Sequence, residues 1–511
     1  MLNEPIALPI VDQCLFLALY YVHMEIDIRT LEPKQVWNNF ADLNAIPRPS
    51  KKEERVVQFM LEFGNGLGLQ SLRDMVGNVI IRKPATPGME DRKMVTLQSH
   101  LDMVHQKNSD TVFDFENEGI QMFVDGDWVR AKGTTLGADN GMGVAAIMSL
   151  LESSDIPHPA LEALFTVDEE TGMTGAMGLE PGFLQGDILL NLDTEEDDEI
   201  DIGCAGGVDI TGTRQYTEKQ VGRGVKGFEI VVRGLRGGHS GMDIHKGFGN
   251  ANKIMNRLLH MGSDNFNIRI ASIEGGGLRN AIPRESVAKI VVDKAHIEPL
   301  QQLFETWTTT IKNELGAVEP QLEILVQRTK IPKKVMGIGA QEKLLKSIHA
   351  LPNGVYAMSG TISDLVETSN NLARVQVKNG TAEISCLARS SVDSAKMDVA
   401  NSIKSALELA GFEVSLSGSY PGWKPDPDSE ILTVLESKYT GLFGSAPKVV
   451  ACHAGLECGI LGRNYPEMDM ISFGPTIKGA HSPEERVSIS SVRKFWKFLL
   501  EVLQDIPAKD Q

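Results

Sequence analysis

The chain has 511 residues, 42% hydrophobic and 23% charged, the balance of a globular protein, which excludes a disordered or collagen-like chain. Its formal charge of −18 opposes binding to a phosphate backbone and so excludes nucleic acid as a partner. The length asks for roughly two to four compact units instead of one core, and five cysteines without paired spacing indicate buried thiols in a reducing compartment, not a disulfide framework.

Residues 6–22 are apolar apart from Pro9, Asp12 and Gln13. No basic leader precedes them, and Asp12 makes the segment a poor membrane span. Residues 1–28 are therefore expected to be an extension of unknown role, and the protein is expected in the cytoplasm, without membrane contact. From 35 to 67 apolar residues recur at helical spacing, and Ala45-Ile46-Pro47 separates two helices. Short apolar runs at 79–81, 94–98, 163–167 and 187–192 then alternate with helical stretches such as 141–152. This alternation predicts an α/β fold with a mostly parallel sheet.

A glycine-rich bend at Gly203-Cys204-Ala205-Gly206-Gly207 opens a region of different pattern: strand 227–232, helix 250–261, strand 286–292, helix 296–315. We read it as an inserted α+β domain over 208–419. Tyr420-Pro421-Gly422 suits a second crossing strand or hinge. The first pattern resumes with a helix at 430–439 and apolar runs at 449–451 and 468–473, so a domain spanning 29–207 and 420–511 is interrupted by another.

In an open parallel sheet, functional groups collect at the carboxyl ends of strands. His100 and Asp102 follow the run 94–98, where the imidazole can bind a metal while the carboxylate holds its other nitrogen. Alone, such a tripeptide is common in polar loops. Glu169 and Glu170 follow the run 163–167, and adjacent carboxylates diverge, so that one can ligate and the other act as general base. Asp193 is the first polar residue after 188–192; the six acids that follow by Asp201 read as a mostly solvated loop. Asp139, just before a predicted helix, can cap it or bridge two metals. His481 follows the last strand. Together they offer the oxygen and imidazole set that zinc, cobalt or manganese accepts, at one structural address.

The order H-x-D, D, E-E, D and a late H resembles the co-catalytic di-zinc metallopeptidases, a family that includes aminoacylase and several dipeptidases. The segments around Ser99-His100-Leu101-Asp102, 133–141, 203–207, Gly238-His239-Ser240, Asn280-Ala281-Ile282-Pro283 and His453-Ala454-Gly455 are similar to the bacterial aminoacyl-histidine (Xaa-His, β-alanyl-histidine) dipeptidases, from about residue 30 to the C-terminus. The resemblance implies two divalent ions, zinc with cobalt or manganese as alternatives. Asp139 would bridge them, Glu170 and His481 would hold one, and His100 and Asp193 the other. It makes Glu169 the general base that activates a metal-bridging water, and Asp102 the residue that orients His100. It also makes 208–419 a lid carrying His239 to the scissile carbonyl, with Asn280, Arg389 and Gly455 as substrate contacts. The expected reaction is hydrolysis of dipeptides, Xaa-His dipeptides among them. An amidase or deacylase of N-acyl amino acids and a non-catalytic metal-binding protein are the alternatives, and a homodimer stays open.

Overall fold

The structure, a computed structural model, describes residues 26–509; the expectation for the N-terminal extension therefore lies, up to residue 25, outside the described residues. Strands Val95–His100, Leu161–Thr166 and Ile188–Asn191 are buried at every position. Strands covered on both faces have no solvated side to alternate with, so their polar residues, Gln98, Glu162 and Asn191 among them, are buried with the apolar ones. They belong to an eight-stranded sheet in the order Gln70–Arg73, Val79–Lys83, Leu161–Thr166, Val95–His100, Ile188–Asn191, Asp469–Ser472, Glu199–Cys204, Lys448–Cys452.

The four central strands, from Leu161–Thr166 to Asp469–Ser472, are parallel. On one side Val79–Lys83 and Gln70–Arg73 continue the sheet antiparallel. On the other, Glu199–Cys204 meets Asp469–Ser472 antiparallel and pairs in parallel with Lys448–Cys452. The sheet is thus mixed, with a parallel centre. Helices Lys34–Asn44, Ala138–Glu152 and Ile489–Gln504 bury Trp37, Phe40, Ile147 and Phe498 in one core with Val95, Leu97 and Phe473. Each such large side chain contributes about 1.5–3 kcal/mol by leaving water.

A second sheet of nine antiparallel strands runs from Glu323–Thr329 at one edge to Glu413–Tyr420 at the other. It has its own core with helices Ala251–Phe266, Ile297–Leu315, Ile338–Ala350 and Asp393–Leu409. The first of these begins where Asn250 accepts the free N–H groups of Asn252 and Lys253. The chain enters this sheet along Glu199–Cys204 and Gly206–Gln215, and leaves it after Glu413–Tyr420. At the crossing, Cys204 and Trp423 exchange two backbone hydrogen bonds of 2.9 Å, and Gly207 pairs with Tyr420. A Cβ at Gly206 would lie 2.5 Å from backbone atoms of 420–422. The glycine-rich stretch is therefore a close approach of two strands, not a bend.

Candidate metal centre

His100 ends its strand in register with Thr166, and Gln98 pairs with both Leu164 and Asn191. Three adjacent parallel strands therefore deliver His100, Glu169 with Glu170, and Asp193 to one rim. Asp139 arrives from the first turn of Ala138–Glu152, where its backbone is still non-helical. His481 comes from the turn of a hairpin between Ile477–Lys478 and Arg486–Ser488. All five predicted ligands meet. The His100 Nε2 atom lies 3.1 Å from Asp139 Oδ1 and 3.6 Å from Asp193 Oδ1. The His481 Nε2 atom lies 3.3 Å from Asp139 Oδ2 and 3.0 Å from Glu170 Oε2. Asp139 thus faces one imidazole with each oxygen.

Three overlapping sets of donors fall within 4.8 Å of one another: His100, Asp139 and Asp193; Asp139, Glu170 and His481; His100, Glu169 and Glu170. Glu169 Oε2 is 4.0 Å from His100 Nε2, so this residue also stands within ligand reach. Asp102 is fully buried. Its Oδ1 lies 3.4 Å from His100 Nδ1, and its two oxygens accept the backbone N–H groups of Glu169 (3.0 Å) and Glu170 (3.3 Å). The Asp102 carbonyl lies nearer still to His100 Nδ1, at 3.2 Å, so residue 102 holds the ring with Nε2 towards the cluster while its carboxylate fixes the Glu169-Glu170 turn. Asp168 and His481, neither a glycine, are held at φ of 54° and 63°. Such left-handed residues cost about 1–3 kcal/mol each and gather at functional sites.

The electrostatics fit a divalent cation pair. Burial and the nearby Asp139 push the Asp193 carboxyl up to about 7 and that of Glu195 up to about 8. Burial likewise raises Glu169 well above the carboxylate range. Burial opposes charge on Asp139 too, yet hydrogen bonds from His100 and His481 hold it below its ordinary value. His481 is raised to about 11 by Asp139 and Glu170. Negative charge outnumbers positive here, and either protons or cations must balance it. The donor atoms are imidazole nitrogens and carboxylate oxygens without thiolates, the mixture that zinc and its neighbours accept.

His239 Nδ1 accepts the N–H groups of Gly241 (3.2 Å) and Met242 (3.1 Å), so the neutral ring carries its proton on Nε2. Burial and the nearby Arg389 lower its pKa to about 4, so it is neutral at pH 7. Arg389 is buried and donates to the Tyr420 hydroxyl at 2.8 Å. Asn280 is exposed, its carbonyl accepting the Ser240 N–H at 2.7 Å. A Cβ at Gly455 would lie 3.0 Å from the Tyr420 ring and 3.2 Å from Met173.

Sequence reasoning missed three residues. Glu195 was read into a solvated acidic run, but its carboxyl feels the charges of Asp139, His481 and Asp193, and the run is otherwise tied down by Lys478 to Glu196, Lys494 to Asp197 and Lys448 to Asp198. Arg48 and Glu485 are buried beside the Asp139 loop.

The model of peptidase family M20/M25/M40 matches residues 96–505. The chain belongs to this family. As an M20 peptidase it is a metallopeptidase, a hydrolase of peptide bonds. The protein named cytosol non-specific dipeptidase in Escherichia coli K12 is 44% identical over 483 residues, covering 94% of this chain and all of that one. The crystal structure of aminoacylhistidine dipeptidase from Vibrio alginolyticus superposes with a TM-score of 0.89 at 44% identity, over 95% of this chain and 99% of that one. An aminopeptidase from Bacillus cereus shares the fold at 15% identity, with a TM-score of 0.55 over 93% and 99% of the two chains.

Proposed function

We propose that this M20 peptidase hydrolyses dipeptides in the cytoplasm, Xaa-His dipeptides including β-alanyl-histidine among them, with two divalent cations, zinc foremost. The observation that carries the reading is Asp139, whose two oxygens face His100 and His481 while Asp193 and Glu170 complete a group on either side. His100 and Asp193 would hold one cation, Glu170 and His481 the other, with Asp139 shared. When bound, such a pair supplies Lewis-acid polarisation of a carbonyl and acidification of water.

The side chains of this chain do the rest. Glu169, with its raised proton affinity, takes the proton of the attacking water and returns it to the amine as the C–N bond breaks. His239 donates from Nε2 to the carbonyl oxygen as charge builds there, a role for which a neutral imidazole with Nδ1 already occupied is suited. The acidic rim favours the substrate's ammonium group, and Arg389 favours its carboxylate. The cytoplasmic setting is supported by the Escherichia coli relative, which is named a cytosol enzyme.

The test is a substrate panel with the cation-loaded protein: a dipeptide, its N-acetylated form, a tripeptide and an N-acetyl amino acid. The free dipeptide is expected to react at least about 100-fold faster than its blocked form, because a buried charge left unpaired is costly. Faster cleavage of the N-acetyl amino acid would make the protein a deacylase. No cleavage at all by loaded protein would make it a binding protein. His239→Ala is expected to lower kcat by about 10²–10³ with cation affinity unchanged, as for loss of one oxyanion donor; unchanged kcat would remove His239 from the chemistry.

A further inference from the structure

We propose that Arg48 and Glu485 are positioning residues, two buried side chains that grip one loop from either side and so set the spacing of the His100 and Asp139 loops and the cation affinity of the site. The inference rests on reading the cluster as a cation site. Neither residue belongs to any of its donor groups.

Glu485 accepts four consecutive backbone N–H groups: Leu136 (2.7 Å) and Gly137 (3.0 Å) on Oε2, Ala138 (2.8 Å) and Asp139 (3.2 Å) on Oε1. These amides precede and open the helix Ala138–Glu152 and have no partner within it. One carboxylate therefore grips the whole approach to Asp139. Arg48 works on the opposite side of the same loop. Its Nη1 donates to the carbonyls of Leu101 and Asp102 at 3.0 Å each, and its Nη2 to the Gly137 carbonyl at 2.5 Å and the Asn44 side chain at 3.0 Å. The guanidinium thus ties the segment after His100 to the loop before Asp139.

The loop is shaped to admit it. A Cβ at Gly137 or Gly141 would lie 2.6 Å from Arg48 Nη2, and Gly137 is held at a φ of 70°. Arg48 is 1% exposed and Glu485 2%. Burying an ionisable side chain is costly unless its hydrogen bonds are satisfied, as these are by the backbone of the two loops. Here the two side chains hold backbone groups from both ligand-bearing loops in fixed register, which apolar residues of similar size would not do. An error of about 1 Å at a metal ligand is enough to weaken a site.

The experiment compares cation affinity, by competition with a chromophoric chelator, in the full chain and in Glu485→Gln, Arg48→Lys and the control Glu162→Gln. Glu162 is an equally buried carboxylate paired with Arg82 at 2.7 Å, on the strand that leads to Glu169 but four residues before its end. Both Glu485→Gln and Arg48→Lys are expected to bind zinc about 10–100-fold more weakly, the usual effect of losing support behind a ligand. Their kcat should fall at limiting zinc and recover towards the unsubstituted value at saturating zinc, with KM little changed. Glu162→Gln should melt earlier yet bind zinc like the unsubstituted protein. Circular dichroism identifies folded samples, and if Glu485→Gln fails to fold, Arg48→Lys decides, since it keeps the charge and loses only the fork. Unchanged zinc affinity in the folded variants would overturn the inference, as would an equal loss in Glu162→Gln, which would trace the effect to general stability. If the unsubstituted chain itself binds no zinc, the cation-site reading falls, and the inference with it.

Discussion

Glu169→Gln is expected to keep both cations and to lose hydrolysis by about 10²–10⁴, the range of a general base. The amide keeps the size of the side chain, and the backbone N–H of residue 169 still reaches Asp102. What disappears is the ability to accept and return a proton, which burial and the surrounding carboxylates have raised in this group. Because Glu169 also lies within ligand distance of His100 and Glu170, cation content must be measured alongside turnover. Full content with lost turnover assigns the base. A missing cation would make Glu169 a ligand, and near-normal turnover with full content would refute the mechanism.

Stripping the protein with a chelator should abolish activity and make its stability fall as pH rises. Without cations, the buried Asp193 and Glu195 carboxyls titrate near 7 and 8, whereas both titrate near 4 when unfolded. Between about pH 4 and 8 the folded chain then binds more protons than the unfolded one, so stability falls as pH rises. For Asp193 alone this is on the order of 1.4 kcal/mol per pH unit within its window. His481, raised to about 11, acts in the same direction above pH 6.5, and the lowered Asp139 acts only below about 4. Cations replace those protons, so loading at pH 6 should release acid and remove the slope. At a free concentration of about 1,000 Kd they stabilise by about 4 kcal/mol. Melting curves from pH 5 to 8, with chelator and with zinc, check this; identical curves would mean that no cation binds here.

His100, the Glu169-Glu170 pair and Asp193 were legible because they follow runs of residues buried at every position, whereas Asp139, at a helix start, and His481, in a hairpin turn, were read from their place in the motif order. Strand direction did not show in the same runs, so the antiparallel flank at Val79–Lys83 was not foreseen. The supporting residues were hidden for a different reason. Glu485 bonds to amides 346 to 349 positions away, and nothing local marks it. Its Glu484-Glu485 pair has the same form as Glu169-Glu170, but it follows a two-residue strand, not a buried one. Arg48, between two prolines, reads as an exposed turn, yet its partners lie on three other segments. The acidic run after Asp193 looked solvated because its lysine partners are at 448, 478 and 494.

The pairing of Gly207 with Tyr420 has a topological consequence. Departure and return of the chain stand one ladder rung apart, about 5 Å, so everything between them is attached like a side loop on a continuous ribbon. A tight turn of two residues would be enough to rejoin the ends. Such a cassette can lengthen or shrink without rethreading the sheet that carries the rim, provided that it returns to the same rung.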